Sequence, residues 1–427
     1  MKKTRRKLKS KNQFTIIPLI LIVLISLSAI IVVAFSNRKD PVPLSSLPES
    51  GSLQDTASSS DVSLLPTPTP TTIPTPEPVI EDTVAGRFFG PVYPVTEPRE
   101  VQRYEVRGLY IGMAASGELL DQRIELAKNS AINALIVDVK ESHQVYFMAE
   151  NKLANEIGAV RNNYNVEELV RKCKENNIRL IGRMVIFKDV LLAQARPDLC
   201  IQDKNGNPVL YKSLEGGKPF VSPYKREVWE YNIDIAVEAI KLGFDEIQFD
   251  YVRFPTGNRA EIQSEYHGPE GEVPTKAEAI NRFLLEAKMK IQDELGVPLG
   301  ADIFGIVMTS KLDGELIGQD WESLGEIGLD SLSPMIYPSH YARGTVMNGI
   351  TFNNPDGDTF EFLDAVFKQE KFSRQAGFSA LRPYIQAYSY TQEQIFGQID
   401  ALAANGINEY IYWNPGAAYS LDNLKKN

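Results

Sequence analysis

Histidine and cysteine are scarce in this chain, with three and two among 427 residues. The histidines, His143, His267 and His340, lie far apart, and no Cys/His pattern has zinc-ligand spacing. That argues against a metal-dependent polysaccharide deacetylase, and no metal or other cofactor is expected. A glycine-rich phosphate turn is also missing. Gly112-Met113-Ala114-Ala115-Ser116-Gly117 follows the first strand-like run but lacks the G-x-G-x-x-G spacing of a nucleotide-binding open sheet. Positive charge is short beyond the N-terminus. The first 39 residues hold 9 of the 45 basic residues and none of the 55 acidic ones, so the rest sets 36 against 55, a net of about −19. Such a surface excludes nucleic acid as a partner. Cys173 and Cys200 could pair outside a cell, but Cys173 falls on an apolar helix face, where an inert buried thiol is commoner.

What the chain does have begins at the N-terminus. Residues 1–13 form a basic tail carrying Lys2, Lys3, Arg5, Arg6, Lys7, Lys9 and Lys11. Residues 14–35 are apolar, interrupted only by Thr15, Pro18 and two serines. As a helix they would extend about 33 Å, enough to cross a bilayer core. The basic flank stays in the cytoplasm, which places the rest outside as a single-pass membrane protein. A cleaved signal is the rival, but its apolar region is usually about 7–15 residues and ends at a small-residue site. Residues 36–97 turn to Pro, Ser and Thr, including Leu65-Pro66-Thr67-Pro68-Thr69-Pro70. Such a segment cannot bury a core, and it reads as a disordered stalk or an extended spacer. Residues 98–427 hold the folded domain.

Strand-like and helix-like runs alternate through that domain. Strands are expected at Gly108–Met113, Ala134–Val139, Leu180–Ile186, around Ile247–Asp250, Leu299–Phe304, Ser331–Tyr337, Tyr384–Tyr388 and Glu409–Asn414. The second run is continuously apolar, as a strand buried on both faces should be. Helical stripes lie between them, for example Val166, Leu169, Val170 and Cys173, or Ile280, Phe283, Leu284 and Ala287. Pro334 makes the sixth strand atypical. Eight such repeats over about 330 residues predict a (β/α)8 TIM barrel with enlarged loops.

In that fold functional groups gather at the C-terminal strand ends. Strand two delivers Asp138, Lys140, Glu141 and His143, and strand three delivers Arg183. Strand four brings Asp250 and Arg253, strand five Asp302, strand six Tyr337 and His340, and strand eight Trp413 and Asn414. Asp250 and Asp302 on adjacent strands suit glycoside hydrolysis, where one carboxyl protonates the leaving oxygen and the other attacks the sugar or activates water. Glu141 is the alternative acid. The remaining residues of this set are candidate sugar contacts, with aromatic rings offering apolar faces and hydroxyl groups. Arg253 is a candidate partner for Asp250. Asp138 has a plainer reading, as part of a buried ion pair with Lys140 or Arg183.

On Arg107-Gly108-Leu109-Tyr110, Phe187-Lys188-Asp189, Phe249-Asp250-Tyr251-Val252-Arg253-Phe254-Pro255 and Ser333-Pro334-Met335-Ile336-Tyr337-Pro338, the chain from about Arg107 to Tyr419 resembles a family of bacterial glycosyl-hydrolase-type domains of unassigned specificity. The resemblance implies a glycosidase-type barrel. Family 18 chitinases carry Asp-x-x-Asp-x-Asp-x-Glu on strand four. Here Asp245 and Asp250 match, whereas Gln248 and Val252 replace the second Asp and the acidic Glu. Similarity to the α-amylase-like barrels is better, with Asp250 as nucleophile and Asp302 where that group carries Glu. The expected function is a membrane-anchored, extracytoplasmic glycoside hydrolase acting on a cell-wall or exported polysaccharide. The alternative is a non-catalytic, carbohydrate-binding barrel at the cell surface.

Overall fold

The expected alternation closes on itself in the computed structural model, which describes residue 79, residues 82–369 and residues 379–426. Eight strands make the barrel: β1 Arg107–Gly112, β2 Ala134–Glu141, β3 Arg179–Val185, β4 Glu246–Asp250, β5 Leu299–Phe304, β6 Ser331–Met335, β7 Tyr384–Gln386 and β8 Tyr410–Trp413. Each pairs in parallel with its neighbours, and β1 pairs with both β8 and β2, so no barrel edge is left open. Helices such as Gly117–Lys128, Val166–Glu175, Arg226–Leu242, Lys276–Lys288 and Gln392–Ala404 follow the strands. This is the (β/α)8 architecture.

Period-2 alternation explains the two cores. Outward residues, among them Leu109, Val137, Leu180, Phe249, Ala301 and Leu332, pack under the helices in one continuous apolar cluster. Each such large side chain contributes about 1.5–3 kcal/mol when fully buried. Inward residues form a smaller apolar cluster of Tyr110, Ala134, Ile136, Ile181, Tyr384 and Ile411. Gly108 belongs to this interior because a Cβ there would lie 2.5 Å from Ile136 and 3.1 Å from Ile411. Those two side chains fill the space that its own would take.

Pro334 is tolerated because the strand beside it breaks. The register pairs Ala380 and Leu381 with Ser331 and Leu332, then resumes at Tyr384 with Met335. Pro383 falls level with Pro334, so neither strand needs that amide. At the floor, Arg382 is fully buried and ion-paired with Glu246, with Glu409 at 2.9 Å and with Asp330 at 3.4 Å. Conserving charge balance there is a matter of stability, since chemistry on this fold sits at the opposite end.

Two expectations meet the structure differently. Residues 82–97, assigned by composition to the linker, include a helix at Val84–Phe89 capped by Thr83. Phe89 is buried against Trp229, with ring centroids 4.8 Å apart, and Arg282 donates to the Gly90 carbonyl at 2.7 Å. Prolines set the local composition, but two adjacent phenylalanines anchor the segment to the barrel wall. The candidate membrane span, residues 14–35, and most of the proposed stalk lie outside the described residues. Among the described residues no helix is long and apolar enough to cross a membrane.

Candidate active site

Arg183 organises the C-terminal mouth of the barrel. Its position on β3 faces inward, level with Asp138 on β2 and Gln248 on β4. The guanidinium donates from Nη1 to Asp138 Oδ1 at 2.6 Å and to Glu141 Oε1 at 2.8 Å. From Nη2 and Nε it donates to Asp250 Oδ2, at 2.6 and 3.2 Å. The other oxygen of Asp250, Oδ1, accepts the Tyr251 amide N–H at 2.6 Å. Tyr251 has φ +54°, a left-handed conformation that stops β4 and turns this amide back onto the carboxylate. Both oxygens of Asp250 are thereby held by charge-assisted bonds.

Asp302, on the adjacent β5, has no bond to a cation among the described residues. Gln248 Nε2 donates to its Oδ1 at 2.5 Å, and the Tyr384 hydroxyl lies 3.4 Å from Oδ2. Gln248 is itself fixed by Ser333 Oγ at 2.9 Å. Burial pushes the Asp302 carboxyl well above the usual carboxylate range, and the charge of Asp250 pushes it further. Asp138 is likewise raised by burial, up to about 6 despite the Arg183 guanidinium, with Glu141 adding to the rise. Burial works the same way on Glu141, but the charge and hydrogen bond of Arg183 outweigh it and hold that carboxyl below its ordinary value. The Tyr110 hydroxyl donates to Asp138 Oδ2 at 2.7 Å.

Aromatic rings surround these groups. Trp413 is half-buried, 4.3 Å from Tyr110 and 5.7 Å from Tyr384 between ring centroids, with Arg183 5.9 Å from its ring. Tyr337 is buried and senses the charges of Asp302 and Asp250. His340 packs edge-on to Tyr337 at 5.2 Å, with its Nε2 3.1 Å from the Tyr388 hydroxyl. Burial lowers its pKa, which keeps the ring neutral. Asp138, Arg183, Asp250, Asp302, Tyr337 and Trp413 therefore share one end of the barrel, with His340 at its margin.

Other candidates stand apart from that group. Lys140 pairs with Asp189 at 2.7 Å, donates to the Val185 carbonyl at 2.7 Å and lies over the ring of Tyr231 in the helical layer. A register irregularity between Asp138 and Lys140 turns it outward. The ion-pair partner of Asp138 is Arg183, not Lys140. Arg253 does not hold Asp250 either: its Nη1 donates to Glu215 at 3.0 Å and to the Phe254 carbonyl at 3.0 Å. His143 is exposed on the turn after β2, near Glu141. Asn414 braces its own loop, donating to Ala418 and Ala387 carbonyls at 2.8 and 3.3 Å and accepting the Gly416 amide at 2.9 Å.

The sequence reading overlooked Gln248, Tyr110 and Tyr384 as site residues. Each lies at an even spacing from an inward position on its own strand, which is the signal that would have found them. Glu215 was also missed; it sits in the long loop after β3, where no periodicity marks it. Cys173 and Cys200 are both buried and free, and burial pushes each thiol up to about 12. Among the described residues no three His, Cys, Asp or Glu side chains are grouped to hold a metal ion.

A family model described as "Putative glycosyl hydrolase domain" matches residues 108–419. No functionally curated protein matches the chain. Among solved structures, a hypothetical protein from Ruminiclostridium thermocellum is 36% identical, over 45% of this chain and 96% of that one, with a TM-score of 0.41. An α-galactosidase from Thermus thermophilus is 15% identical over 76% of this chain and 61% of its own, with a TM-score of 0.44. The spore cortex-lytic enzyme SleL of Bacillus cereus is 13% identical over 76% of each chain, with a TM-score of 0.41.

Proposed function

The chain belongs to the family described as "Putative glycosyl hydrolase domain", and from that premise we propose a membrane-anchored, extracytoplasmic glycoside hydrolase that uses Asp302 as acid and Asp250 as nucleophile. The observation that carries this reading is the asymmetry between the two carboxyls. Among the described residues Asp250 accepts three N–H donors, two of them from a guanidinium, whereas Asp302 accepts none from a cation and is raised by burial and by Asp250. An acid that must deliver a proton and a nucleophile that must be ionised need these opposite environments.

In this mechanism the Asp302 proton passes to the glycosidic oxygen as that bond breaks, while an Asp250 oxygen bonds to the anomeric carbon. The Gln248 amide N–H then stabilises the carboxylate left on Asp302. Water attacks the anomeric carbon in the second half, gives its proton to Asp302 and frees Asp250. Arg183 holds Asp250 through two hydrogen bonds and fixes its rotamer throughout. Trp413, Tyr337 and Tyr384 supply sugar-facing rings and hydroxyls. The polysaccharide would be a cell-wall or exported polymer, because the apolar stretch at 14–35 with its basic flank predicts export of the domain.

The test is to incubate the purified chain with bacterial polysaccharides and measure new reducing ends. Release that disappears in both Asp250→Asn and Asp302→Asn supports the assignment. Undiminished release by Asp250→Asn on a confirmed substrate would remove Asp250 as nucleophile. Glycan binding with no release by the wild type would favour a non-catalytic carbohydrate-binding barrel.

A further inference from the structure

One corner of the mouth has a charge opposite to the rest. Lys188, three residues beyond β3, and Arg253, three beyond Asp250, both lean on the ring of Tyr251, at 4.9 and 4.8 Å from its centroid. They share a single buried carboxylate. Lys188 Nζ donates to Glu215 Oε2 at 2.8 Å, and Arg253 Nη1 to Oε1 at 3.0 Å. Thr256 adds its amide and its hydroxyl to that same Oε1, at 3.1 and 2.8 Å. Two cations against one anion leave a net positive corner beside Asp250. Elsewhere at the mouth, Arg183 is set against Asp138, Glu141, Asp250 and Asp302.

The donor inventory is unfilled. Lys188 has three N–H donors and makes one hydrogen bond among the described residues, with its side chain 21% exposed. Arg253 is 3% exposed, yet both of its hydrogen bonds leave from Nη1, so Nε and Nη2 have no partner among the described residues. Rings cover the guanidinium, with the Phe304 centroid at 4.5 Å and that of Phe220 at 5.8 Å. Neither Nε nor Nη2 is fully shut off from solvent, so both stay open to an acceptor that arrives from the mouth. Tyr251 brings a hydroxyl to the same place, within electrostatic range of Lys188 and Asp250.

We propose that Lys188, Arg253 and Tyr251 form an anion-recognition corner that takes the carboxylate of an acidic sugar bound next to Asp250. The proposal rests on the glycan-binding reading of this mouth and narrows its substrate to carboxylate-bearing saccharides. Glu215 would hold the two cations apart and leave their remaining donors pointing at the ligand. A bidentate guanidinium contact plus an ammonium contact suits a planar carboxylate.

The experiment measures binding, so it reads out even where hydrolysis fails. Calorimetric titration of the full chain would use two probe pairs: tetragalacturonate and muramic-acid-containing glycan strands, each beside its carboxyl-reduced counterpart. At least one acidic probe should bind about tenfold tighter than its reduced form, the size expected for one hydrogen-bonded charge. Lys188→Met should remove that ratio by weakening the acidic probe about tenfold more than the reduced one, and Lys188→Arg should restore most of it. A wild type that prefers neither acidic probe would overturn the proposal. So would a Lys188→Met variant that weakens acidic and reduced probes equally, since that pattern belongs to a purely structural lysine. Absent hydrolysis together with a surviving acid preference would fault only the catalytic reading.

Discussion

Replacing Arg183 with methionine removes the cation bonded to three buried or half-buried carboxylates. Arg183 is 4% exposed, and it bonds Asp138, Glu141 and Asp250 at 2.6–2.8 Å. Methionine fills much of the volume, so the cost comes from charges left unpaired, about 3–5 kcal/mol for a buried site of this kind. For a domain this large, each kcal/mol moves the melting temperature by roughly 2 °C, so a fall of about 6–10 °C is expected near pH 8. The sign with pH follows from Asp138. Its folded pKa of about 6 lies above the unfolded value, so the folded state binds the proton more tightly. That contribution is present in full below an unfolded value of about 3.9 and is lost as the pH rises through about 6. Without Arg183 the Asp138 carboxyl rises further and Glu141 loses the charge that holds it down, so protonation then relieves the defect. Thermal unfolding of wild type and Arg183→Met at pH 5 and pH 8 should show the smaller gap at pH 5. Equal gaps at the two values, or none at pH 8, would refute the view that Arg183 compensates these carboxylates.

Three further outcomes are expected. Gln248→Met takes away an N–H donor to Asp302, which stabilises the ionised form, so the basic limb of the pH–activity profile should move up by about one pH unit; an unmoved limb would mean that Asp302 is not the acid. Gly108→Val should cost about 1–3 kcal/mol in urea unfolding, because even its Cβ would meet Ile136 at 2.5 Å; a neutral result would show slack in the barrel interior. Cys173 and Cys200, buried with their thiols pushed up to about 12, should resist a thiol reagent in the native chain and both react in denaturant; fast native labelling would contradict their burial.

Most of the fold was legible because its signals are local. Strand β5 begins and ends where the hydrophobic pattern puts it, and the stripe of Ile280, Phe283, Leu284 and Ala287 lies on the buried face of the helix Lys276–Lys288. The inward position of Asp250 and Asp302 followed from strand ends in the same way. Partnerships were less legible, since they run across strands. Arg253 looked like the partner of Asp250 because it is three residues away, yet the turn at Tyr251 carries it to Glu215. Arg183 is 67 residues from Asp250 in sequence and bonds it twice. Lys140 shared the inward phase of Asp138 in an ideal strand, and the irregularity between them reverses it. A helix at Val84–Phe89 was hidden by flanking prolines, because burial of Phe89 depends on a barrel wall that no local pattern announces.

Strand order explains why the two proposed catalytic carboxyls differ. An inward arginine on β3 lies between β2 and β4, its hydrogen-bonded neighbours, and its reach covers their strand-end carboxylates. Asp302 is one strand further round on β5, beyond a direct bond, with the amide of Gln248 as its nearest donor. The guanidinium is therefore bonded to Asp250 and not to Asp302, and the charge of Asp250 in turn raises Asp302. Moving the arginine to β4 or β5 would stabilise charge on Asp302 instead and erase the difference. A single cation placed two strands from Asp302 leaves one carboxyl bonded to a guanidinium and the other raised by burial, without either residue differing in kind. On that argument the position of Arg183, more than the identity of the acids, is what makes this mouth suited to general-acid chemistry.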